Sequence, residues 1–322
     1  MKEKNLSIEL LKFFAVILVF NSHMDALYGK YSFLATGGAI GDTLFFFASG
    51  FTIFLGRLGR FDNWYKRRIK RIYPSLIAWA ILISFVGIAQ ISVNQLIIGG
   101  GYWFVSCIMI YYVLLFFIRK YAQSKPFIPF IVCCVVVAIW YCFEDRKTMF
   151  MYGETYFKWI HYFLFMLLGA YMGNNTIKFV SKPIMDGVLL IASIGLFYGI
   201  QLLSVRYPIM TQLQIISLIP LLGISYYLFK LCSAPSINHF MKTKVGLCLR
   251  FLAGLCFEAY IVQVGIRPLL IVLFGVLFPY NLFIAFVIVI IVSYITRCIG
   301  RVISQIFEKE DMDWRAVVRM VD

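Results

Sequence analysis

The stretch LLKFFAVILVFNSH, residues 10–23, decides the fold class of this chain. It is wholly apolar except for Lys12, Asn21, Ser22 and His23, and it begins a hydrophobic run near the N-terminus. A helix needs about 20 residues to cross the hydrocarbon core of a bilayer. Ionisable side chains inside such a helix are costly and usually face a cavity or a partner. The stretch therefore predicts a membrane-spanning helix and marks its lysine and its histidine as candidate functional residues.

The composition of the whole chain extends this prediction to a polytopic membrane protein. Of 322 residues, 62% are hydrophobic and only 14% are charged, whereas soluble domains carry about a quarter charged residues. We expect an all-α transmembrane bundle of about ten helices, both termini cytoplasmic, forming a single domain over residues 1–322. The apolar segments that carry this expectation are 8–28, 39–55, 72–92, 102–119, 126–143, 157–173, 183–203, 211–231, 251–277 and 281–306. The ninth contains Arg267-Pro268, which we expect to kink or break its helix.

The orientation follows from the distribution of lysine and arginine between alternate loops. The basic set follows the even-numbered segments: Arg57, Arg60, Lys66, Arg67, Arg68, Lys70, Arg71, Arg119, Lys120, Lys125, Lys178, Lys182, Lys242, Lys244 and Arg250. The positive-inside rule then places both termini in the cytoplasm of a multi-pass protein of the cell (inner) membrane. Topology therefore accounts for most of the net charge of +15, and we expect contact with membrane lipid and no nucleic-acid partner.

The eight cysteines fall almost all inside the hydrophobic runs. They show neither a CxxC pair nor a Cys/His spacing typical of a metal site. Buried thiols behave as small apolar residues, so we expect neither a metal nor a redox function.

Lys12 and His23 lie on one face of the first predicted helix. Eleven residues separate them, which is three turns plus about 20°, with about 16 Å between their Cα atoms along the axis. Glu9 precedes Lys12 by three residues and can pair with it. In the alternative interpretation, Lys12 extends to the interface and His23 only hydrogen-bonds a neighbouring helix.

Three further stretches are candidates for function or packing. Seven lysines and arginines lie between residues 57 and 71, and Arg68 and Arg71 would share a helix face. Arginine clusters suit phosphate, but they also attract anionic lipid headgroups. The small residues of FFFASGF, residues 45–51, allow close helix packing. Glu258 in CFEAYIVQ places a carboxylate in an apolar helix, which needs a partner or a role.

These stretches together resemble acyltransferase family 3, integral-membrane enzymes that O-acylate surface polysaccharides and related glycans. The family's first helix carries an acidic residue, Arg or Lys, ten further residues and His, matched by Glu9, Lys12 and His23. Its later motifs are matched by Phe45, Phe46, Ser49, Gly50, Phe51, Arg68, Arg71, Tyr73, Pro74, Trp103, Phe104, the stretch FMLLGAYMG, Cys256, Phe257, Tyr260, Ile261 and Gln263. Gln263 stands where histidine is frequent in the family and Cys256 where serine is frequent, which puts a catalytic role for that late segment in doubt.

The resemblance implies one integral-membrane acyltransferase domain with an acyl-CoA donor, usually acetyl-CoA, and a glycan or polysaccharide acceptor. Lys12, Arg67, Arg68 and Arg71 would bind the donor from the cytoplasm. His23 would be the general base on the acceptor hydroxyl, with a transient acyl-histidine as a variant. Glu258 is the second catalytic candidate.

Two other classes of function remain as alternatives. A transporter or flippase for a glycan or lipid intermediate also needs buried charge, but transporters often contain internal repeats, and the second half shows no copy of the Lys12–His23 arrangement. A non-catalytic membrane partner that keeps the fold is favoured by Gln263 and disfavoured by the intact Lys12–His23 spacing.

Overall fold

A computed structural model describes residues 5–88, 92–97, 102–125, 127–174, 180–275, 277–306 and 311–319. All regular elements in these ranges are helical, as the composition predicts. The α-helices are α1 Leu6–His23, α2 Gly38–Leu55, α3 Phe61–Phe85, α4 Val93–Ile97, α5 Trp103–Ala122, α6 Phe127–Phe143, α7 Lys158–His161, α8 Phe163–Gly173, α9 Pro183–Arg206, α10 Pro208–Thr211, α11 Leu218–Cys232, α12 Pro235–Phe240, α13 Lys244–Gly254, α14 Cys256–Phe274, α15 Tyr280–Ile306 and α16 Trp314–Val318. Two 3-10 segments, Asp25–Leu34 and Gln214–Ser217, connect some of them.

A helix occupies each of the ten apolar segments, so the prediction of an all-α polytopic bundle is confirmed. Within the described ranges, seven helical stretches are long and apolar enough to cross a membrane: Leu6–His23, Gly38–Leu55, Trp103–Ala122, Pro183–Arg206, Gln214–Cys232, Cys256–Phe274 and Tyr280–Ile306. Of the other three segments, α3 begins with the basic run, α6 has 17 residues and α8 has 11.

Three predicted boundaries are wrong. The first helix ends at His23 rather than at residue 28, because a 3-10 segment begins at Asp25. The third helix begins at Phe61 rather than at residue 72, so the basic run is helical.

The third wrong boundary concerns the ninth segment. The helix continues through Arg267-Pro268 to Phe274, and the interruption lies at Leu255, between α13 and α14. A proline removes one backbone hydrogen bond, and helices in membranes tolerate this where other groups satisfy the freed carbonyl.

The contacts divide the chain into two compact units. Unit 1 comprises Met1–Lys12, Asp42–Leu58 and Leu114–Thr243, and unit 2 comprises Phe13–Gly41, Gly59–Val113 and Lys244–Asp322.

Unit 1 is held together by a close contact between α2 and α8. A Cβ atom added at Gly50 would lie 1.9 Å from the carbonyl oxygen of Met166, and one at Gly169 would lie 2.0 Å from that of Phe47. The backbones of the two helices therefore touch, as expected from the small residues of FFFASGF. Elsewhere in the unit, Lys230 of α11 forms an ion pair of 2.6 Å with Asp186 of α9.

Unit 2 is built on α3, α14 and α15, which pack against one another. Gly265 of α14 leaves room for Trp79, because a Cβ atom there would lie 2.4 Å from the indole ring. Gly300 of α15 lies close to the backbone of α3, with Ser75 3.0 Å from the position of an added Cβ. These contacts bring both α14 and α15 close against α3.

Candidate active site

His23 is the last residue of α1 and lies against Tyr260 of α14 in unit 2. The two ring centroids are 6.2 Å apart with an angle of 58° between the rings. The Nδ1 atom of His23 is buried, and it has no hydrogen-bond partner among the described residues. A neutral imidazole carries one nitrogen that accepts a proton, so the ring is available for proton transfer.

Tyr260 belongs to an aromatic cluster that fixes one wall beside His23. Its ring lies 4.9 Å from that of Phe104 and 6.3 Å from that of Tyr102. The indole nitrogen of Trp79 donates a hydrogen bond of 2.8 Å to the hydroxyl of Tyr102. Sequence reasoning gave no role to Trp79 or Tyr102, although Tyr102 directly precedes the Trp-Phe motif.

An ion pair between Asp25 and Arg267 lies near His23. The guanidinium donates to the Asp25 carboxylate, and both charges are close enough to act electrostatically on the imidazole. This pair could not be predicted from the sequence, because its partners are 242 positions apart.

One stripe of α14 carries the side chains that meet this region. Tyr260, Gln263 and Arg267 follow each other at intervals of three and four residues, which places them on one helix face. The Gln263 side chain is 1% exposed, and its amide oxygen has no hydrogen-bond partner in the described part of the chain. The glutamine that replaces a frequent family histidine therefore lies between two residues that contact the His23 region.

Glu258 faces away from this stripe, about 200° from Tyr260 around the helix. Its carboxylate accepts a hydrogen bond of 2.7 Å from Ser75 and lies 3.4 Å from the guanidinium of Arg297. The side chain is 6% exposed. These contacts favour a structural role that joins α14 to α3 and α15, and the catalytic role of Glu258 stays a prediction.

Three of the four basic residues predicted to bind the donor lie in the N-terminal half of α3, in two environments. The guanidinium of Arg68 lies 4.6 Å from the ring centroid of the buried Trp64 and 6.0 Å from that of Tyr112. Arg67 and Arg71 are exposed, and a spacing of four residues puts them on one face. The guanidinium of Arg68 therefore packs on aromatic rings, whereas Arg67 and Arg71 are both exposed on one face of α3.

Lys12 belongs to unit 1 and forms the expected ion pair with Glu9. The ammonium nitrogen is 3.0 Å from the carboxylate oxygen, and both side chains are largely buried. A buried pair of this kind holds a positive charge within an otherwise apolar stretch of α1.

A second cluster of ionisable side chains lies in unit 1. Tyr162 hydrogen-bonds Asp42, and the buried Lys158 interacts with the same carboxylate while its ammonium lies 3.0 Å from Glu154. His161 is fully buried beside them. Over the described ranges, no three or more His, Cys, Asp or Glu side chains are grouped so that they could hold a metal ion.

Comparison with known protein families identifies the chain. A family model described as "Acyltransferase domain", that of acyltransferase family 3, matches residues 5–298, nearly the whole chain. No curated protein and no solved structure gave a significant match. The family resemblance expected from the motifs is therefore confirmed, and the chain belongs to acyltransferase family 3 as a membrane acyltransferase.

Proposed function

We propose that the protein is an O-acyltransferase of the cytoplasmic (inner) membrane. It transfers an acyl group, most simply acetyl, from cytoplasmic acyl-CoA to a hydroxyl of a cell-surface or lipid-linked glycan. The observation that carries this proposal is the position of His23. In a chain of an acyltransferase family, its Nδ1 is buried at the end of α1 and has no hydrogen-bond partner among the residues that the structure describes.

The donor is held by positive charge on the cytoplasmic side. Arg67 and Arg71, exposed on one face of α3, contact the phosphates of CoA, because a planar guanidinium makes paired hydrogen bonds to phosphate. Arg68, whose guanidinium packs on Trp64, adds a third positive charge in the same part of α3. Lys12, paired with Glu9 in unit 1, is the further basic residue that the family motif assigns to the donor.

His23 performs the proton transfer. The imidazole removes the proton from the acceptor hydroxyl as the oxygen attacks the thioester carbonyl carbon. The tetrahedral intermediate then collapses, the C–S bond breaks, and the CoA thiolate takes the proton from the imidazolium. Hydrogen-bond donors beside the developing oxyanion lower the barrier, and the tyrosine hydroxyls near His23 are the groups of the right type.

The test is acyl transfer by purified protein in liposomes with radiolabelled acetyl-CoA, comparing the wild type with His23→Ala. General-base catalysis contributes about 10²–10⁴-fold, so we expect a loss of turnover of this size with acetyl-CoA binding retained. His239→Ala is the matched control, because His239 is exposed, and it should keep wild-type turnover.

Each other outcome has a defined meaning. Equal turnover in the wild type and His23→Ala removes His23 from its role. Absence of acyl-CoA binding by the wild type contradicts the proposed function and favours transport. Label that stays on the denatured wild-type protein, and is absent from His23→Ala, indicates an acyl-histidine intermediate rather than direct transfer.

A further inference from the structure

The 3-10 segment Asp25–Leu34 follows the end of α1 and forms part of the surface of unit 2. The side-chain amide of Asn21 donates a hydrogen bond of 2.8 Å to the carbonyl oxygen of Leu34. The amide of the buried Asn281 donates another of 2.8 Å to that of Leu27. The segment is therefore anchored near its start and at its end, directly after the candidate catalytic histidine.

Asp25, the first residue of this segment, forms an ion pair with Arg267 that leaves hydrogen-bonding groups for a ligand. The side chains of Asp25 and Arg267 are 49% and 39% exposed although they pair with each other. The Nε atom of Arg267 is buried and has no hydrogen-bond partner among the described residues. A carboxylate has about four acceptor sites and a guanidinium five donors, so the pair can accept from one hydroxyl and donate to another.

An aromatic surface continues from the ion pair. The ring of Phe278 lies between those of Tyr28 and Tyr31, at centroid distances of 5.6 Å and 5.3 Å. Gly29 has φ 55°, in the left-handed region, and this turn of the backbone lets both tyrosines reach the same phenylalanine. The Tyr31 side chain is still 38% exposed.

We propose that this surface binds a sugar ring of the acceptor, with Asp25 and Arg267 recognising two vicinal hydroxyls. The carboxylate accepts from one hydroxyl and the guanidinium donates to its neighbour, while the apolar C–H face of the ring packs on Tyr31 and Phe278. A further hydroxyl of the same ring then faces His23. The inference rests on the proposed function, since it identifies how the acceptor of that reaction is selected.

A site that hydrogen-bonds a substrate hydroxyl discriminates strongly against an analogue that lacks it. The exposed ion pair alone would contribute little to folding stability. Loss of either charged group should therefore affect the acceptor more than the fold or the donor.

The experiment measures acyl transfer in liposomes to methyl glycosides of glucose, galactose and mannose, with 1-butanol as an acceptor that has no diol. Asp25→Asn and Arg267→Gln should each raise the KM for the best glycoside by about tenfold or more, by analogy with lost charge-assisted hydrogen bonds. The KM for acetyl-CoA should stay near wild type. Because both charges also act on the imidazole of His23, the acceptor effect is measured as the ratio of kcat/KM for the glycoside to kcat/KM for 1-butanol, which should fall by about tenfold or more. Arg206→Gln, at an exposed arginine of unit 1, is the matched control and should leave all these values unchanged.

Three results overturn the inference while the proposed function stands. These are an unchanged glycoside KM in both variants, an equal rise in the KM for acetyl-CoA, and a wild type that prefers 1-butanol to every glycoside. A wild type that neither binds nor turns over acetyl-CoA contradicts the proposed function itself. If Arg267→Gln fails to fold, Asp25→Asn, which keeps the shape of the side chain, decides the question.

Discussion

His23 and Glu258 are both ionisable side chains in apolar helices, and their surroundings in unit 2 differ. The buried Nδ1 of His23 has no partner in the described part of the chain. The carboxylate of Glu258 is engaged by Ser75 and Arg297, and Arg297 also donates to the carbonyl of Gly254. An unsatisfied group beside exposed polar residues is available for substrate, whereas a satisfied and buried one stabilises the packing of helices.

We predict that Glu258→Ala destabilises the protein. Removal of the Glu258 side chain leaves the hydroxyl of Ser75 without its acceptor and the part-buried Arg297, whose side chain is 24% exposed, without its carboxylate, which should cost about 1–3 kcal/mol. Thermal unfolding in detergent measures this loss. Glu258→Gln, which keeps a hydrogen-bond acceptor for Ser75, should lose less.

The matched control is Asp62→Ala, because Asp62 and its partner Arg60 are 60% and 81% exposed and an exposed ion pair contributes about 0–1 kcal/mol. If Glu258→Ala unfolds like the wild type but has lost acyl transfer, the structural role is wrong and the catalytic role predicted from the sequence is supported.

The elements of unit 1 depend on glycines where two helices touch. Gly50 of α2 and Gly169 of α8 each face a backbone carbonyl of the other helix. A carbonyl oxygen cannot move away as a flexible side chain can, so any larger residue must separate the helices. In lipid, where helices associate through close packing rather than through the hydrophobic effect, such contacts matter more than apolar area.

We therefore predict that Gly50→Ala destabilises unit 1 by at least about 1–3 kcal/mol, the usual cost of overpacking. The added Cβ would lie 1.9 Å from the carbonyl oxygen of Met166. Gly195→Ala in α9 is the same change in open space, since its Cβ would meet nothing within 4 Å, and it should be neutral or slightly stabilising. Equal unfolding temperatures for both variants would contradict the tight α2–α8 contact.

For the whole molecule, the distribution of basic residues predicts that both termini are cytoplasmic. Two native cysteines test this prediction, because Cys142 and Cys248 are exposed and lie at predicted outer and cytoplasmic ends, respectively. A membrane-impermeant maleimide should label Cys142 in right-side-out vesicles and Cys248 in inverted vesicles.

Cys142→Ser and Cys248→Ser identify the two labelled sites, and the buried Cys107 should stay unlabelled in both preparations. The reverse labelling pattern would place the basic run of α3 on the outer side. It would then contradict the proposed delivery of acyl-CoA to this run from the cytoplasm.

The features that could be predicted from the sequence alone arise from neighbouring residues or from repeated patterns along the chain. The ten helical segments follow from runs of apolar residues, the Glu9–Lys12 pair from a spacing of three residues on one helix, and the close contact at Gly50 from small side chains. The family membership follows from short motifs in a set order. Such features are visible because the residues that cause them are neighbours in the chain.

The contacts between distant polar groups are visible only in the tertiary structure. Ser75 and Glu258 are 183 positions apart and Asp25 and Arg267 are 242 apart, so no periodicity links them. The end of α1 at His23 could not be predicted from the sequence either, because the apolar pattern continues beyond this residue. Long-range partners are selected by the packing of helices that carry them, and for that reason the proposed sugar surface beside His23 became visible only in the folded chain.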